Sequence, residues 1–350
     1  MVHRVVVAMS GGVDSSVAAA LLKEQGYEVI GITMCLGIDG VDSSRPNCCG
    51  AEGIADAKRV ADILGIKHYV LNFGKEFKQN IVDDFFSEYS KGRTPNPCVK
   101  CNELIKFGSL LSKAKELGAR YMATGHYAAV KDGFLVKAKD PKKDQSYFLY
   151  RIGAEALKSI LFPVSEYSKI EVRALAKKYN LHVSAKPDSQ EVCFIPEGKL
   201  AEEIAKTVNS KKGPVVDGSG KVLGQHKGIA NYTIGQRQGL GIAAKYPLYI
   251  TRIDVKSNTI FVGNREEIYA KGFICKDLVL YGDFEGKTEN FDVKIRHLHK
   301  ESPAVVKFGK NQAEVIFDEP QFAVTPGQST VFYRNNKVLG GGIIDSINDR

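Results

Sequence analysis

Along the first 125 residues the hydrophobic positions follow two alternating rhythms. Short apolar or β-branched runs at 5–9, 28–34, 67–71 and 120–124 each predict a strand. Between them, apolar residues recur at three- and four-residue spacing. That spacing predicts helices from near Val13 to Gly26, over 52–64 with Ile54, Ala57, Ala61 and Leu64 on one face, over 75–89, and over 102–117 with Gly118 placed to end it. Thr94-Pro95-Asn96-Pro97 interrupts the series and is expected to be non-helical. Strand and helix in steady alternation predict an α/β domain over 1–195, with a doubly wound parallel sheet, helices on both faces, and ligand bound at the C-terminal strand ends.

After residue 196 the helical rhythm weakens. Residues 213–220 are rich in turn formers, and 224–249 mix glycines with short β-like runs. These define a small central α+β domain over 196–270. Strand-like runs at 292–298, 304–308, 313–317 and 329–333, with turns between them, predict a small β-barrel or sandwich over 271–350.

Composition adds a partner class. The chain has 350 residues, with 49 Lys+Arg against 40 Asp+Glu, a net charge of +9 and a pI of about 9.0, which suits a polyanion such as nucleic acid. The start of the chain is too short an apolar run for a signal-peptide core, and no run approaches a membrane span, so a cytoplasmic location away from membranes is expected. Seven cysteines in such a chain point to metal binding or catalysis rather than a disulfide framework.

The most informative stretch is Ala8-Met9-Ser10-Gly11-Gly12-Val13-Asp14-Ser15-Ser16, where the first strand breaks into glycines and restarts as a helix. Gly11 and Gly12 permit positive φ and close approach of a phosphate to backbone N–H groups. Ser10, Ser15 and Ser16 add hydroxyls at a helix start whose dipole favours an anion. Asp14 is a carboxylate where phosphate is expected, which makes sense if Mg²⁺ lies between them; as an N-cap it would be an ordinary turn residue. The lysine of a Walker loop is missing. Met34, ending the second strand, and Gly125, just after the strand at Tyr121, would border the same crevice.

Cys98-Val99-Lys100-Cys101 lies between the proline-stiffened loop and a helix N-terminus, a position that favours thiolate at Cys101. Cys193 stands alone downstream, in Val192-Cys193-Phe194-Ile195. A thioredoxin-like redox pair is disfavoured by the TPNP loop, whereas structural zinc would recruit Cys48 and Cys49 as further ligands. Neither reading gives Cys35 or Cys275 a role. His126 follows Thr124-Gly125, and Lys131, Lys137, Lys139, Lys142 and Lys143 form a basic stretch leading into Asp144-Gln145-Ser146.

Ser10 to Ser16 resembles the SGGxDS loop of the ATP pyrophosphatase (PP-loop) family. Together with Cys48-Cys49, Gly92-Arg93-Thr94-Pro95-Asn96-Pro97-Cys98-Val99-Lys100-Cys101-Asn102, Thr124-Gly125-His126-Tyr127, Asp144-Gln145-Ser146, Val192-Cys193-Phe194-Ile195, Tyr232-Thr233-Ile234-Gly235-Gln236-Arg237 and Pro326-Gly327-Gln328, it makes the whole chain similar to the tRNA-specific 2-thiouridylases. The resemblance implies a C-terminal barrel that grips tRNA. It also implies ATP and Mg²⁺ as cofactors, with adenylation of the C2 oxygen of a wobble uridine in tRNA of the Lys, Glu and Gln type, followed by replacement with sulfur. ATP contacts would come from Ala8, Met9, Ser10, Gly11, Gly12, Val13, Asp14, Ser15, Met34 and Gly125. Cys101 would be the nucleophile, and Cys193 would carry a persulfide received from a sulfur-relay protein or a cysteine desulfurase. Alternatively Cys98, Cys101 and Cys193 would hold a [4Fe–4S] cluster with one iron open for hydrosulfide. Contacts to tRNA would come from Asn96, Pro97, Cys98, His126, Lys143, Asp144, Gln145, Ser146, Arg296, His297 and Gln328. An amide-forming synthetase of the same loop family would not need three cysteines, and a non-catalytic nucleotide-binding module would not need Asp14.

Overall fold

The computed structural model describes residues 2–37, 50–188, 192–196, 198–208 and 210–349. Contacts divide the chain into two units. The first comprises Met1–Val82, Pro97–Pro196 and Asn336–Val338; the second comprises Asp83–Asn96, Glu197–Asn335 and Leu339–Arg350.

In the first unit, β1 (Arg4–Ala8), α1 (Val13–Glu24), β2 (Glu28–Cys35), α2 (Ala51–Leu64) and β3 (Lys67–Asn72) follow the alternation read from the sequence. With β4 (Tyr121–Ala123) and β7 (Ile160–Leu161) the strands form a parallel sheet in the order β3-β2-β1-β4-β7. β1 is central, and Val5, Val6 and Val7 are fully buried, as a strand covered on both faces requires. α1 packs against α2 and against α8 (Lys169–Lys178), burying Val17, Ala18, Ala19 and Leu22. Full burial of each larger aliphatic contributes about 1.5–3 kcal/mol. β5 (Ala128–Lys131) and β6 (Phe134–Lys137) form a hairpin whose turn, Asp132-Gly133, has both φ positive.

The two later helices differ from expectation. The 75–89 run is α3 (Gly74–Phe77), a π-helical turn at Lys78–Val82 and α4 (Asp83–Ser90). Phe77, Ile81, Phe85 and Tyr89 are all buried, and their spacing of four exceeds the 3.6 residues of an α-turn, which a widened turn accommodates. The 102–117 run begins earlier. Pro97 opens α5 (Pro97–Lys100), so the expectation that it lies outside a helix is corrected: its ring and missing N–H suit the first helical turn. A π-helix over Cys101–Leu110 follows, then α6 (Leu111–Glu116), with Gly118 at φ +72 ending it. α7 (Ala154–Leu157) precedes β7.

In the second unit, α9 (Leu200–Thr207) leads into β8 (Gly213–Val216), β9 (Val222–His226), β10 (Tyr249–Asp254) and β11 (Thr259–Gly263), a sheet ordered β10-β11-β8-β9. Six more strands then close a barrel: β12 (Tyr269–Leu280), β13 (Thr288–Lys294), β14 (Ser302–Phe308), β15 (Gln312–Phe322), β16 (Ser329–Arg334) and β17 (Lys337–Asp349). Their order is β12-β15-β14-β13-β16-β17, and pairing of β12 with β17 removes both edges. Phe273, Phe291, Phe308, Phe317 and Phe332 fill the interior. The expected strand at 292–298 ends at Lys294, so Arg296 and His297 lie in the turn beyond it.

Among the described residues no helix is long and apolar enough to cross a membrane.

Candidate nucleotide and thiol site

The loop between β1 and α1 is built on close approaches that tolerate only glycine. Gly11 has φ +73, and a β-carbon there would overlap the Gly53 carbonyl of α2. Gly12 caps α1 with extended backbone and no side-chain hydrogen bond. The Ser10 N–H donates to Ser15 Oγ at 3.2 Å, while the Ser15 and Ser16 hydroxyls donate to Gly12 O at 3.2 and 2.9 Å. Ala8 ends β1; the Met9 N–H donates to Ile32 O, and Thr33 Oγ1 donates to Met9 O. Val13 is buried, and Met34 is half-buried near the end of β2.

Gly125 closes on the same loop. A β-carbon on it would stand 2.5 Å from Ser15 N and 2.6 Å from Asp14 C, so the turn after β4 lies against the first turn of α1. Gly125→Ala should therefore push that turn away. We expect loss of at least tenfold in nucleotide affinity by calorimetry and a lower Tm, since overpacking costs about 1–3 kcal/mol.

Asp14 does not stand alone. Lys169 Nζ donates to both of its carboxylate oxygens at 2.8 Å, and Tyr127 OH donates to Oδ1 at 2.8 Å. The same ammonium lies 2.8 Å from Asp188 Oδ1; Lys143 Nζ and Arg173 Nη2 also reach Asp188, at 2.8 and 3.1 Å. Burial, and then the Asp14 carboxylate, push the Tyr127 phenol upward, which keeps it a donor. Burial raises the Asp188 carboxyl, but its bonds to Lys143 and Lys169 outweigh that and hold it below the usual range. Two carboxylates beside a phosphate-type loop fit Mg²⁺, which needs one or two such ligands plus phosphate oxygens and water. Mg²⁺ bound there would neutralise phosphate charge.

Of the thiols, Cys98 on α5 is exposed, Cys101 begins the π-helix and is 9% exposed, and Cys193 is half-buried. Cys193 is placed by its neighbour: the Phe194 ring meets Phe77 of α3 edge-on at 5.7 Å, and α3 packs against the π-helix that Cys101 begins. Among the described residues, no three His, Cys, Asp or Glu side chains converge to hold a metal. Cys48 and Cys49 lie outside the described residues. Cys35 ends β2, and Cys275 is buried in the barrel with its thiol pushed up to about 12 by burial, which leaves it inert.

The π-helix also delivers Lys106 and Phe107 to His126. Lys106 Nζ lies 3.4 Å from His126 Nε2, and Thr124 Oγ1 lies 2.7 Å from Nδ1. Since an ammonium can only donate, Nε2 is the acceptor and Nδ1 carries the proton. Burial, then Lys106, hold this imidazole well below its usual pKa, so it is neutral.

Several residues expected at tRNA are engaged with the chain's own backbone. Asp144 is 6% exposed and accepts from Ala138 N, Ser146 N and Ser146 Oγ; Gln145 Oε1 accepts from Tyr127 N; Ser146 is fully buried. Together they hold Tyr127 toward Asp14. Gln328 Nε2 donates to Thr94 O at 2.8 Å, and Thr94 N donates to Pro326 O, which secures the loop that runs through Asn96 to Pro97. His297 is half-buried. Arg296 Nη2 donates to Ala323 O at 2.7 Å and to Thr325 Oγ1. Arg296→Ala should therefore destabilise the second unit by about 1.5–3 kcal/mol, read as a lower urea midpoint at unchanged slope. The sequence reading missed Tyr127, Lys169 and Asp188. A lysine opening a helix, where the dipole opposes it, was the available signal for Lys169.

Comparison with known proteins follows the same architecture. Residues 3–197 match the model of the tRNA methyl transferase HUP domain, 201–264 that of the tRNA methyl transferase PRC-barrel domain, and 270–344 that of the aminomethyltransferase beta-barrel domain. The tRNA-specific 2-thiouridylase MnmA of Carboxydothermus hydrogenoformans is 48% identical over 98% of this chain and 97% of its own. MnmA 1 of Caldanaerobacter subterraneus is 50% identical over 98% of each chain. The chain belongs to the tRNA-specific 2-thiouridylase family. In this thiouridylase the parallel-sheet unit carries the phosphate-type loop, Asp14 and the three cysteines Cys98, Cys101 and Cys193, whereas the second unit holds the PRC-barrel and β-barrel regions.

Proposed function

We propose that this enzyme adenylates the C2 oxygen of the wobble uridine of tRNA with ATP and replaces it with sulfur, giving 2-thiouridine. The observation that carries the reading is that a phosphate-type loop, closed by Gly125, shares one unit with the buried Cys101 and with Cys193. A nucleotide-binding module or an amide-forming synthetase has no use for that combination.

The C2 oxygen is a poor leaving group. Transfer of AMP to it releases pyrophosphate and leaves an oxygen that departs as AMP when sulfur attacks C2. Backbone N–H groups of the Ser10–Ser16 loop and the N-terminus of α1 bind the phosphates. Cys193 carries the sulfur as a persulfide, received from a cysteine desulfurase or a relay protein. Its outer sulfur attacks C2, and the Cys101 thiolate then attacks the inner sulfur. The thiocarbonyl is released, a Cys101–Cys193 disulfide forms, and an external dithiol reduces it. The neutral His126 and the Cys98 thiol face the nucleotide being modified, and the basic surface binds tRNA phosphates.

The test is the purified, iron-free enzyme with an unmodified tRNA transcript, ATP–Mg²⁺ and a persulfide donor. We expect 2-thiouridine in the nucleoside digest, with one pyrophosphate released per thiolation. Activity that appears only after iron–sulfur reconstitution would overturn the persulfide route; no 2-thiouridine under either condition would overturn the function.

A further inference from the structure

Lys169 stands where its own helix disfavours it. It is the first residue of α8, whose N-terminus is already satisfied by the Ser168–Glu171 capping box, and Asp140 Oδ2 accepts from the Lys169 backbone N–H at 3.2 Å. A cation at a helix N-terminus opposes the dipole. Departures from local preference of this kind concentrate at functional sites.

The side chain is 12% exposed, and its single ammonium meets three carboxylate oxygens at 2.8 Å: both of Asp14 and Oδ1 of Asp188. It therefore covers the carboxylate expected to meet the metal. Three cations, Lys143, Lys169 and Arg173, surround Asp14 and Asp188, with Asp140 a third carboxylate at the Lys169 backbone. If Lys169 left, Asp188 would keep Lys143 and Arg173, and Asp14 would keep the Tyr127 hydroxyl. The backbone of Lys169 is fixed by the caps, while its four-carbon stem is free to swing.

We propose that Lys169 is a displaceable counter-ion: it occupies Asp14 in the nucleotide-free enzyme and moves onto the phosphates when ATP binds, opening Asp14 to the divalent ion. This rests on the assignment of the Ser10–Ser16 loop to ATP. It explains why a carboxylate can wait beside an anion site without repelling the anion, and it makes metal binding follow nucleotide binding.

The test uses the full-length protein without tRNA and reads binding rather than turnover. Mn²⁺ alone is titrated by electron paramagnetic resonance, and ATP in EDTA by calorimetry, for wild type, K169Q and K169R. Removing the ammonium should tighten Mn²⁺ alone by about tenfold and weaken metal-free ATP by about tenfold or more, effects of opposite sign that a merely structural lysine would not produce. K169R, which keeps the charge, should stay near wild type for Mn²⁺. The proposal is overturned if K169Q leaves metal-free ATP affinity unchanged or weakens Mn²⁺. It is overturned equally if K169Q fails to fold and K169R binds Mn²⁺ as tightly as an enzyme lacking the cation should. If wild type itself binds no ATP with or without metal, the ATP assignment fails instead.

Discussion

Cys101→Ser should abolish thiolation while leaving pyrophosphate release intact in the first turnover. In the proposed reaction, adenylation uses the phosphate-type loop and Asp14, whereas Cys101 acts only once sulfur has attacked. A hydroxyl at the start of the π-helix keeps nearly the same volume, and at 9% exposure the site should hold its packing. Its oxygen cannot cleave a persulfide, so a loss of about 10³-fold or more in 2-thiouridine is expected, near the limit set by removing a nucleophile. Pyrophosphate and 2-thiouridine measured from one reaction separate the two steps. If 2-thiouridine persists at more than a few per cent of wild type, Cys101 has no covalent task.

Asp14→Asn should produce the complementary defect, in which neither pyrophosphate nor 2-thiouridine forms and tRNA still binds. The substitution keeps the shape of the side chain and a carbonyl for Tyr127 OH and Lys169 Nζ, so the fold should persist. What disappears is the charge that would hold Mg²⁺ against the phosphates. Losing such an electrostatic contribution costs about 10²–10³ in rate. A filter-binding assay with tRNA should return an affinity within about twofold of wild type, because phosphate contacts to RNA come from basic side chains. Pyrophosphate release at the wild-type rate in the presence of tRNA would remove Asp14 from the reaction.

The alternation of strand and helix was legible in the first unit because β1, β2 and their flanking helices obey local rules: buried β-branched runs, periodic apolar faces and glycine at sharp turns. The phosphate-type loop was legible for the same reason, since Gly11 and Gly125 mark close approaches. The π-helix over Cys101–Leu110 was not, because a widened turn preserves apolar content and changes only the face each residue joins. Two barrel strands were also missed. β12 and β17 pair across 60 residues or more, and glycines at 340, 341 and 342 break the alternation that marks a strand. The lysine at 169 and the carboxylate at 188 meet Asp14 only through the fold, and no spacing in the sequence announces it. The motif alone points Asp144, Gln145 and Ser146 toward tRNA; the structure adds that they hold Tyr127 in place, a role that no spacing announces.

β17 has a consequence for how the chain is made. Its first two residues, Lys337 and Val338, belong with the first unit, where Lys337 pairs with Val136 beside the β5–β6 hairpin, and the rest of the strand closes the barrel against β12. One short segment thus completes both units, and it is synthesised after every other strand described. Until it emerges, β12 has an open edge and the hairpin lacks its neighbour, some 200 residues after the hairpin itself was synthesised. At about 5–20 residues per second this exposure lasts on the order of ten seconds or more. A nascent chain that stalls before residue 337 would present two unpaired strand edges at once, which makes the synthesis of β17 the step most in need of a chaperone.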